Sequence, residues 1–235
     1  MLSIIIPVYN EAEIVETHLK QIQRRISSAS WVKEMLVVDG GSSDDTVEKA
    51  KAVEGVEVLA SPKGRPLQMN YGAKHAKGNT LYFLHIDSLP PQNFDRLIAN
   101  SIENGHEAGC FKMKFRSRHP WLRLVSLFTK FKAKCCRGGD QSLFVTKSLF
   151  ETIGGYNEDF MIYEDHEILT PIYRHTKFDV IPQWISTSAR RYEEIGVLKL
   201  QALFLMIYFK RWCGASSEEL YRFYMKHIDN SSLKA

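Results

Sequence analysis

The chain has 235 residues, 31 Lys and Arg against 27 Asp and Glu, and a formal net charge of +4. That length accommodates one large α/β domain with a filled core, and 44% hydrophobic with 25% charged residues is ordinary for a soluble globular protein. So modest a charge excess does not mark a nucleic-acid binder, which needs a clustered basic surface, and nucleic acid is not an expected partner.

In chain order, Leu2 to Val8 reads as a buried parallel strand, and Glu11 to Ile26 as an amphipathic helix with Ile14, Leu19 and Ile22 inward. Met35 to Val38 is a second strand. Gly40-Gly41-Ser42-Ser43 makes a turn, and an acidic cap at Asp44 or Asp45 opens a helix to about Val53. Val56 to Ala60 is a third strand, Pro66 to Ala76 a helix with proline in its first turn, and Leu81 to Ile86 a fourth strand. This alternation predicts right-handed crossovers and a mostly parallel twisted sheet in an α/β fold. After Pro90-Pro91 the spacing predicts a helix over Asn93 to Asn104, a strand over Cys110 to Phe115 and an amphipathic helix over Trp121 to Lys134. Ser142 to Val145 is a short strand, Gly154-Gly155-Tyr156 a turn, and Glu164 to His175 a helix containing Pro171. Short strands at Phe178 to Ile181 and Ile185 to Ser188 precede helices over Val197 to Trp212 and Ser217 to His227. No repeat, low-complexity tract or linker divides the chain, so a single domain over 1–235 is expected.

The four cysteines, Cys110, Cys135, Cys136 and Cys213, lack zinc-like spacing and read as free thiols of a reducing compartment. The chain opens on a strand without a basic n-region. Its longest apolar run, Ala202 to Phe209, falls short of the roughly 18 residues of a membrane span. A cytoplasmic location is the expectation, with peripheral contact at the inner face of the membrane compatible with it.

Acidic residues close several elements. Asp39 ends a strand before a Gly-Gly turn, where a carboxylate can accept hydrogen bonds from a base or ribose, or cap its own turn. Pro7, Tyr9, Asn10 and Glu11 form the strand-to-helix turn where an α/β sheet collects ligands. Arg65 follows Gly64 at a helix start and can reach a phosphate. Asp87 can anchor Mg²⁺ or Mn²⁺ through oxygen, and strand alternation would turn His85 to the same side. Glu164-Asp165 opens a helix and offers a general base. Asp140, Gln141, Arg190 and Arg191 are candidates for acceptor or phosphate contacts.

Together these segments resemble glycosyltransferase family two, whose members have the GT-A nucleotide-sugar fold. The carriers are Ile-Pro-Val-Tyr-Asn-Glu at Ile6 to Glu11, Val-Asp-Gly-Gly-Ser-Ser-Asp-Asp-Thr at Val38 to Thr46, Gly64-Arg65 with Gln68-Met69-Asn70, and Leu84-His85-Ile86-Asp87. Gly139-Asp140-Gln141, Gly154-Gly155-Tyr156 and Glu164-Asp165 follow in the family's order. Leu-His-x-Asp, Gly-Asp-Gln and Thr187 to Glu193 resemble the narrower radical-SAM/selenodomain-associated transferases. The resemblance implies a Rossmann-like α/β/α sandwich with a nucleotide-sugar half over 1–90, an acceptor and catalytic half over 91–190, and C-terminal helices over 191–235. It implies an inverting transfer from a UDP-linked or similar sugar to an acceptor hydroxyl. Pro7, Tyr9, Glu11 and Asp39 would line the nucleotide, with His85 in the donor site, and Arg65 would lie near the diphosphate. Asp87 would bind a divalent metal, Mn²⁺ or Mg²⁺, and Asp165 would be the base. His85 departs from the Asp-x-Asp pattern of the wider family.

Two other readings compete. A sugar nucleotidyltransferase would open with a glycine-rich loop where this chain has Pro-Val-Tyr-Asn-Glu, and a non-catalytic membrane or nucleotide-binding module would not need Asp165. From Lys112 to Arg137 there are nine Lys or Arg and no acid, interleaved with Trp121, Leu124 and Phe128. Such a segment fits either a surface helix on its own sheet or a bilayer-facing helix serving a lipid-linked acceptor.

Overall fold

Ile4, Ile5 and Ile6 are all fully buried. Strand alternation sends Ile4 and Ile6 to one face of a sheet and Ile5 to the other, so both faces need a covering layer. The computed structural model describes residues 1–229 and supplies both layers. The strands are β1 (Leu2–Val8), β2 (Val32–Asp39), β3 (Val56–Ala60), β4 (Thr80–Phe83), β5 (Ala108–Phe115), β6 (Leu143–Thr146) and β7 (Phe178–Thr187). They form one sheet in the order β3-β2-β1-β4-β6-β5-β7. Only β6 runs against its neighbours, pairing antiparallel with β4 and β5.

The helices are α1 (Val15–Gln23), α2 (Thr46–Lys51), α3 (Arg65–His75), α4 (Phe94–Glu103), α5 (Pro120–Phe128), α6 (Lys147–Thr152), α7 (Glu164–His175), α8 (Arg190–Ile195), α9 (Val197–Trp212) and α10 (Ser217–His227). On one face Leu19 and Ile22 of α1, Phe94 of α4 and Leu122 of α5 meet Ile4, Ile6 and Tyr82. On the other, Met69 of α3, Phe150 of α6 and Leu169 of α7 meet Ile5, Leu36 and Phe83. Gly72 lets α3 lie close to the sheet, since a Cβ there would stand 2.5 Å from Ile5 Cγ2. A third cluster, Leu200, Ile207, Leu220 and Ile228 with Phe160, holds α9 and α10 together. No helix among the described residues is long and apolar enough to cross a membrane.

Several sequence expectations shift. The first helix begins at Val15 rather than Glu11, because the backbone of residues 10–12 is hydrogen-bonded to the turn after β2. The fourth strand stops at Phe83, and Ile86-Asp87 lie in a turn closed by Ser88 N–H donating to His85 O. The two short strands after α7 are one strand. β7 pairs Phe111 with Ile181 and then Lys112 with Trp184, so Pro182-Gln183 bulge out. Proline lacks a ladder donor, and an edge strand tolerates it at a bulge. The helix read to Lys134 ends at Phe128, and α6 and α8 are additional short helices. α7 continues through Pro171.

Candidate active site

The carboxyl ends of β1, β2 and β4 open on the same edge of the sheet. The loop after β1 and the turn after β2 are tied to each other there. Asn10 N–H donates to Ser42 Oγ at 2.9 Å, Glu11 N–H to Thr46 Oγ1 at 2.7 Å, and Ala12 N–H to Asp44 Oδ2 at 3.2 Å. Gln68 of α3 locks both strand ends from below. Its buried Nε2 donates to Val8 O at 2.8 Å and Val38 O at 2.7 Å. Asp39, 5% exposed, accepts Gly41 N–H at 2.9 Å, Ser42 N–H at 3.0 Å and Ser42 Oγ–H at 2.5 Å. Its carboxylate is thus fixed by its own turn.

Pro7 is buried at the end of β1, and Tyr9 is exposed beside it with Lys63 Nζ 3.8 Å from the ring centroid. Glu11 is partly buried, which raises its pKa against the opposing pull of Arg190, whose Nη2 lies 3.7 Å from Glu11 Oε2. Arg190 therefore reaches the first loop from α8. Arg191 turns elsewhere and donates from Nη1 to Tyr224 Oη of α10 at 2.5 Å.

The antiparallel pairing of β4 with β6 brings together what the sequence keeps apart. Phe83 opposes Leu143, so the residues leaving β4 meet those entering β6. His85 Nδ1 lies 3.7 Å from Asp140 Oδ1 as a result. Burial and Arg65 work against a charged imidazole here, but Asp140 and Asp165 outweigh them and raise the His85 pKa. The Asp140 pKa moves down, its burial outweighed by His85 and Arg65. Gln141, 1% exposed, folds inward, its Oε1 accepting Gly138 N–H at 3.1 Å.

Glu164 and Asp165 open α7 opposite this pair. Glu164 is 2% exposed, and its Oε1 stands 3.5 Å from Nη1 of the half-exposed Arg65. Burial, reinforced by the negative Asp165, pushes Glu164 up to about 7. Asp165 also moves up, burial overcoming His85 and Arg65. It borders a small cavity with Arg137, Gln141, Ser142 and Leu169. Ser142 and Tyr163, just before β6 and α7, hold φ of +62° and +70°. Such left-handed backbone costs about 1–3 kcal/mol per residue and is concentrated at functional sites.

Asp87 sits in the turn after β4. Its Oδ1 accepts Ser88 Oγ–H at 3.3 Å, and its backbone carbonyl accepts Arg116 Nη2–H at 2.8 Å. Its negative charge raises the Glu11 pKa, so the two carboxyls are neighbours. Among the described residues no three His, Cys, Asp or Glu form a metal cage. A single hard carboxylate suits a cation that arrives with a diphosphate and keeps other oxygen ligands. His85 faces Asp140 instead of continuing a strand beside Asp87.

The expected residues thus gather along one edge in two groups: Tyr9, Glu11, Asp39, Asp87 and Arg190 around the first loops, and Arg65, His85, Asp140, Glu164 and Asp165 around α7. Gln68, Lys63 and Arg116 join them without a role foreseen from sequence. Gln68 carried a signal, since it lies in the Gln-Met-Asn run after Arg65.

A family model for glycosyl transferase family 2 matches residues 3–150. The chain belongs to glycosyl transferase family 2. It is 26% identical over 210 residues to the undecaprenyl-phosphate 4-deoxy-4-formamido-L-arabinose transferase of Klebsiella pneumoniae, covering 86% of this chain and 60% of the relative. The protein of the same name from Proteus mirabilis is 29% identical over 203 residues, covering 83% and 58%. The chain therefore spans about three fifths of the length of these relatives. Two solved structures share the GT-A fold. The mannosyltransferase PcManGT from Pyrobaculum calidifontis, in complex with GDP-Man and Mn²⁺, superposes with TM-score 0.69 at 16% identity, covering 99% of this chain and 72% of that one. S. aureus TarS 1–349 superposes with TM-score 0.63 at 17% identity, covering 86% and 65%.

Proposed function

We propose that this chain transfers a sugar from a nucleoside-diphosphate sugar, UDP-linked in the first instance, to a hydroxyl of a lipid-linked acceptor, with inversion. The observation that carries the reading is Asp165 at the head of α7, its proton affinity raised by burial, among Arg65, His85 and Asp140 where β4 hands over to β6. In this reading residues 1–90 hold the donor, residues 91–190 hold the acceptor and the catalytic groups, and the C-terminal helices close over them.

The base and ribose would sit against Pro7, Tyr9, Glu11 and Asp39. Arg65 and the His85–Asp140 pair would lie at the diphosphate end, where preorganised positive charge stabilises the leaving group. Asp87 would hold a divalent cation, Mn²⁺ or Mg²⁺, whose chemistry is charge neutralisation on the leaving diphosphate. PcManGT, described with GDP-Man and Mn²⁺, supports a cation in this fold. Asp165 would take the proton of the attacking hydroxyl on the face opposite the leaving group. Gln141, Glu164 and Arg191 would shape the acceptor side.

Relatives named for undecaprenyl phosphate support a lipid-linked acceptor. A phosphate oxygen is already anionic at neutral pH and needs no base, whereas a hydroxyl does. The raised proton affinity of Asp165 favours the hydroxyl. The match to Leu-His-x-Asp, Gly-Asp-Gln and Thr187 to Glu193 supports the radical-SAM/selenodomain-associated branch. The test is a panel of sugar nucleotides, with and without Mn²⁺, scored by nucleoside diphosphate release. Release of pyrophosphate instead would favour a nucleotidyltransferase, and no turnover with any donor would refute the enzyme reading.

A further inference from the structure

A surface helix normally carries one apolar stripe, turned to the core. α5 and the residues after it carry two. Leu122 and Ser126 of α5 and Thr129 just beyond it are buried against the domain, which satisfies the inward stripe. Trp121, Leu124, Phe128 and Phe131 recur at helical spacing on the other side and are 38%, 45%, 52% and 59% exposed. Apart from the Phe128–Phe131 ring contact, whose centroids are 6.3 Å apart, these side chains stand at the surface of the described residues.

Its charge surroundings identify what covers it. The stretch from Lys112 to Arg137 holds nine basic residues and no acid. Lys132 is paired with Asp179 at 3.5 Å, but Arg118, Arg123 and Lys130 have no carboxylate partner among the described residues. A two-fold contact through this same face would bring these cations against their own like charges. Anionic lipid headgroups would neutralise them, and the tryptophan and phenylalanines would enter the headgroup–acyl boundary.

The location agrees with the chemistry. α5 follows the carboxyl end of β5, the end on which the candidate site opens. Arg116, just before α5, donates to Asp87 O at 2.8 Å, so the face begins beside the residue proposed for the cation. We infer that the outward face of α5, continued to Phe131, docks the protein on an anionic bilayer and presents the acceptor side of the site to it. This deepens the lipid-linked acceptor reading. Vesicle binding is measured without donor or acceptor, so either idea can fail alone.

The experiment is flotation with vesicles of phosphatidylcholine alone and of phosphatidylcholine with phosphatidylglycerol. The chain is expected to float with the second and not the first. R118Q/R123Q/K130Q should weaken binding roughly a hundredfold, at about 1 kcal/mol for each cation near an anionic surface. F128S/F131S should abolish flotation while the circular-dichroism melt stays that of the parent. Absence of flotation, or equal binding to both vesicles, overturns the inference. So does binding that survives both α5 variants but is lost in F209S/W212S, which would move the contact to the exposed face of α9. A concentration-dependent dimer that F128S/F131S dissociates would also overturn it, making the face a contact between copies.

Discussion

Glu164 allows a direct test of which force governs the site. Two effects oppose each other at this carboxyl. Burial and the adjacent Asp165 favour the neutral acid, while Arg65 at 3.5 Å and the amino end of α7 favour the anion. The balance lies with burial, moving Glu164 from 4.5 up to about 7. Between those values the native chain keeps a proton that the unfolded chain has released. Native stability therefore falls as pH rises through this window, by about 1.4 kcal/mol per pH unit and about 3 kcal/mol in all.

Glu164→Gln removes the titration and retains the shape. The variant should gain on wild type as pH rises, with the difference in unfolding free energy growing by about 3 kcal/mol between about pH 5 and about pH 8. For a chain of this size that is roughly 6–12 °C in Tm. Urea or thermal unfolding of both proteins at the two pH values measures it. A difference independent of pH would show that Glu164 does not titrate abnormally. A variant that loses ground at the higher pH would show that the Arg65 ion pair prevails over burial, and the reasoning would fail.

Other expectations follow from the same geometry. Asp165→Asn should lower transfer to a hydroxyl acceptor by about 10²–10⁴-fold while donor titration stays near wild type; transfer at the parental rate sinks the base assignment, and retained transfer only to a polyprenyl phosphate would identify an acceptor needing no base. Asp87→Ala should remove the Mn²⁺ dependence of donor affinity, checked by calorimetric titration with and without the metal. Gln68→Leu removes one donor each from Val8 O, which keeps Gly40 N–H, and from Val38 O, and should cost about 1–2 kcal/mol, with weaker donor binding, measured by urea unfolding and titration. Binding of a sugar nucleotide near Arg65 should draw up to about half a proton from solution at neutral pH, because added negative charge disfavours ionised Glu164. Calorimetry in buffers of different ionisation enthalpy reads this uptake, and Glu164→Gln should abolish it.

The first half of the fold was legible because its signals are local. β1 to β4 are short apolar runs set off by Gly, Pro and Asp, and the crossovers follow from their alternation. The later elements depend on partners. β7 reads as two strands until β5 shows that Pro182-Gln183 is a bulge in one. α5 reads as longer than it is because Phe131 continues the apolar period outside the domain, where it has no core to serve. α6 is too short to show a helical period of its own. At the site, each acid was visible as a residue closing or opening an element, but its partner was not. His85 finds Asp140 through the β4–β6 register, and Glu11 finds Arg190 through α8.

Those partnerships also refine what each carboxylate can do. Asp39 was ambiguous in sequence between holding its own turn and binding a nucleotide. Three donors from Gly41 and Ser42 now fix its orientation, but a carboxylate has about four acceptor positions. The turn is therefore compatible with the proposed nucleotide contact: it holds the remaining acceptor position in place, which would lower the entropy lost on binding. The reverse holds at α7. Asp140, Glu164 and Asp165 surround Arg65 and His85 with more negative than positive charge, and two of the three acids respond by holding protons more tightly. A site built only to pair charges would match them and depress all three. Burial of these acids beside half-exposed Arg65 instead raises the proton affinity of Glu164 and Asp165, the direction that suits the proposed role of Asp165 as a base.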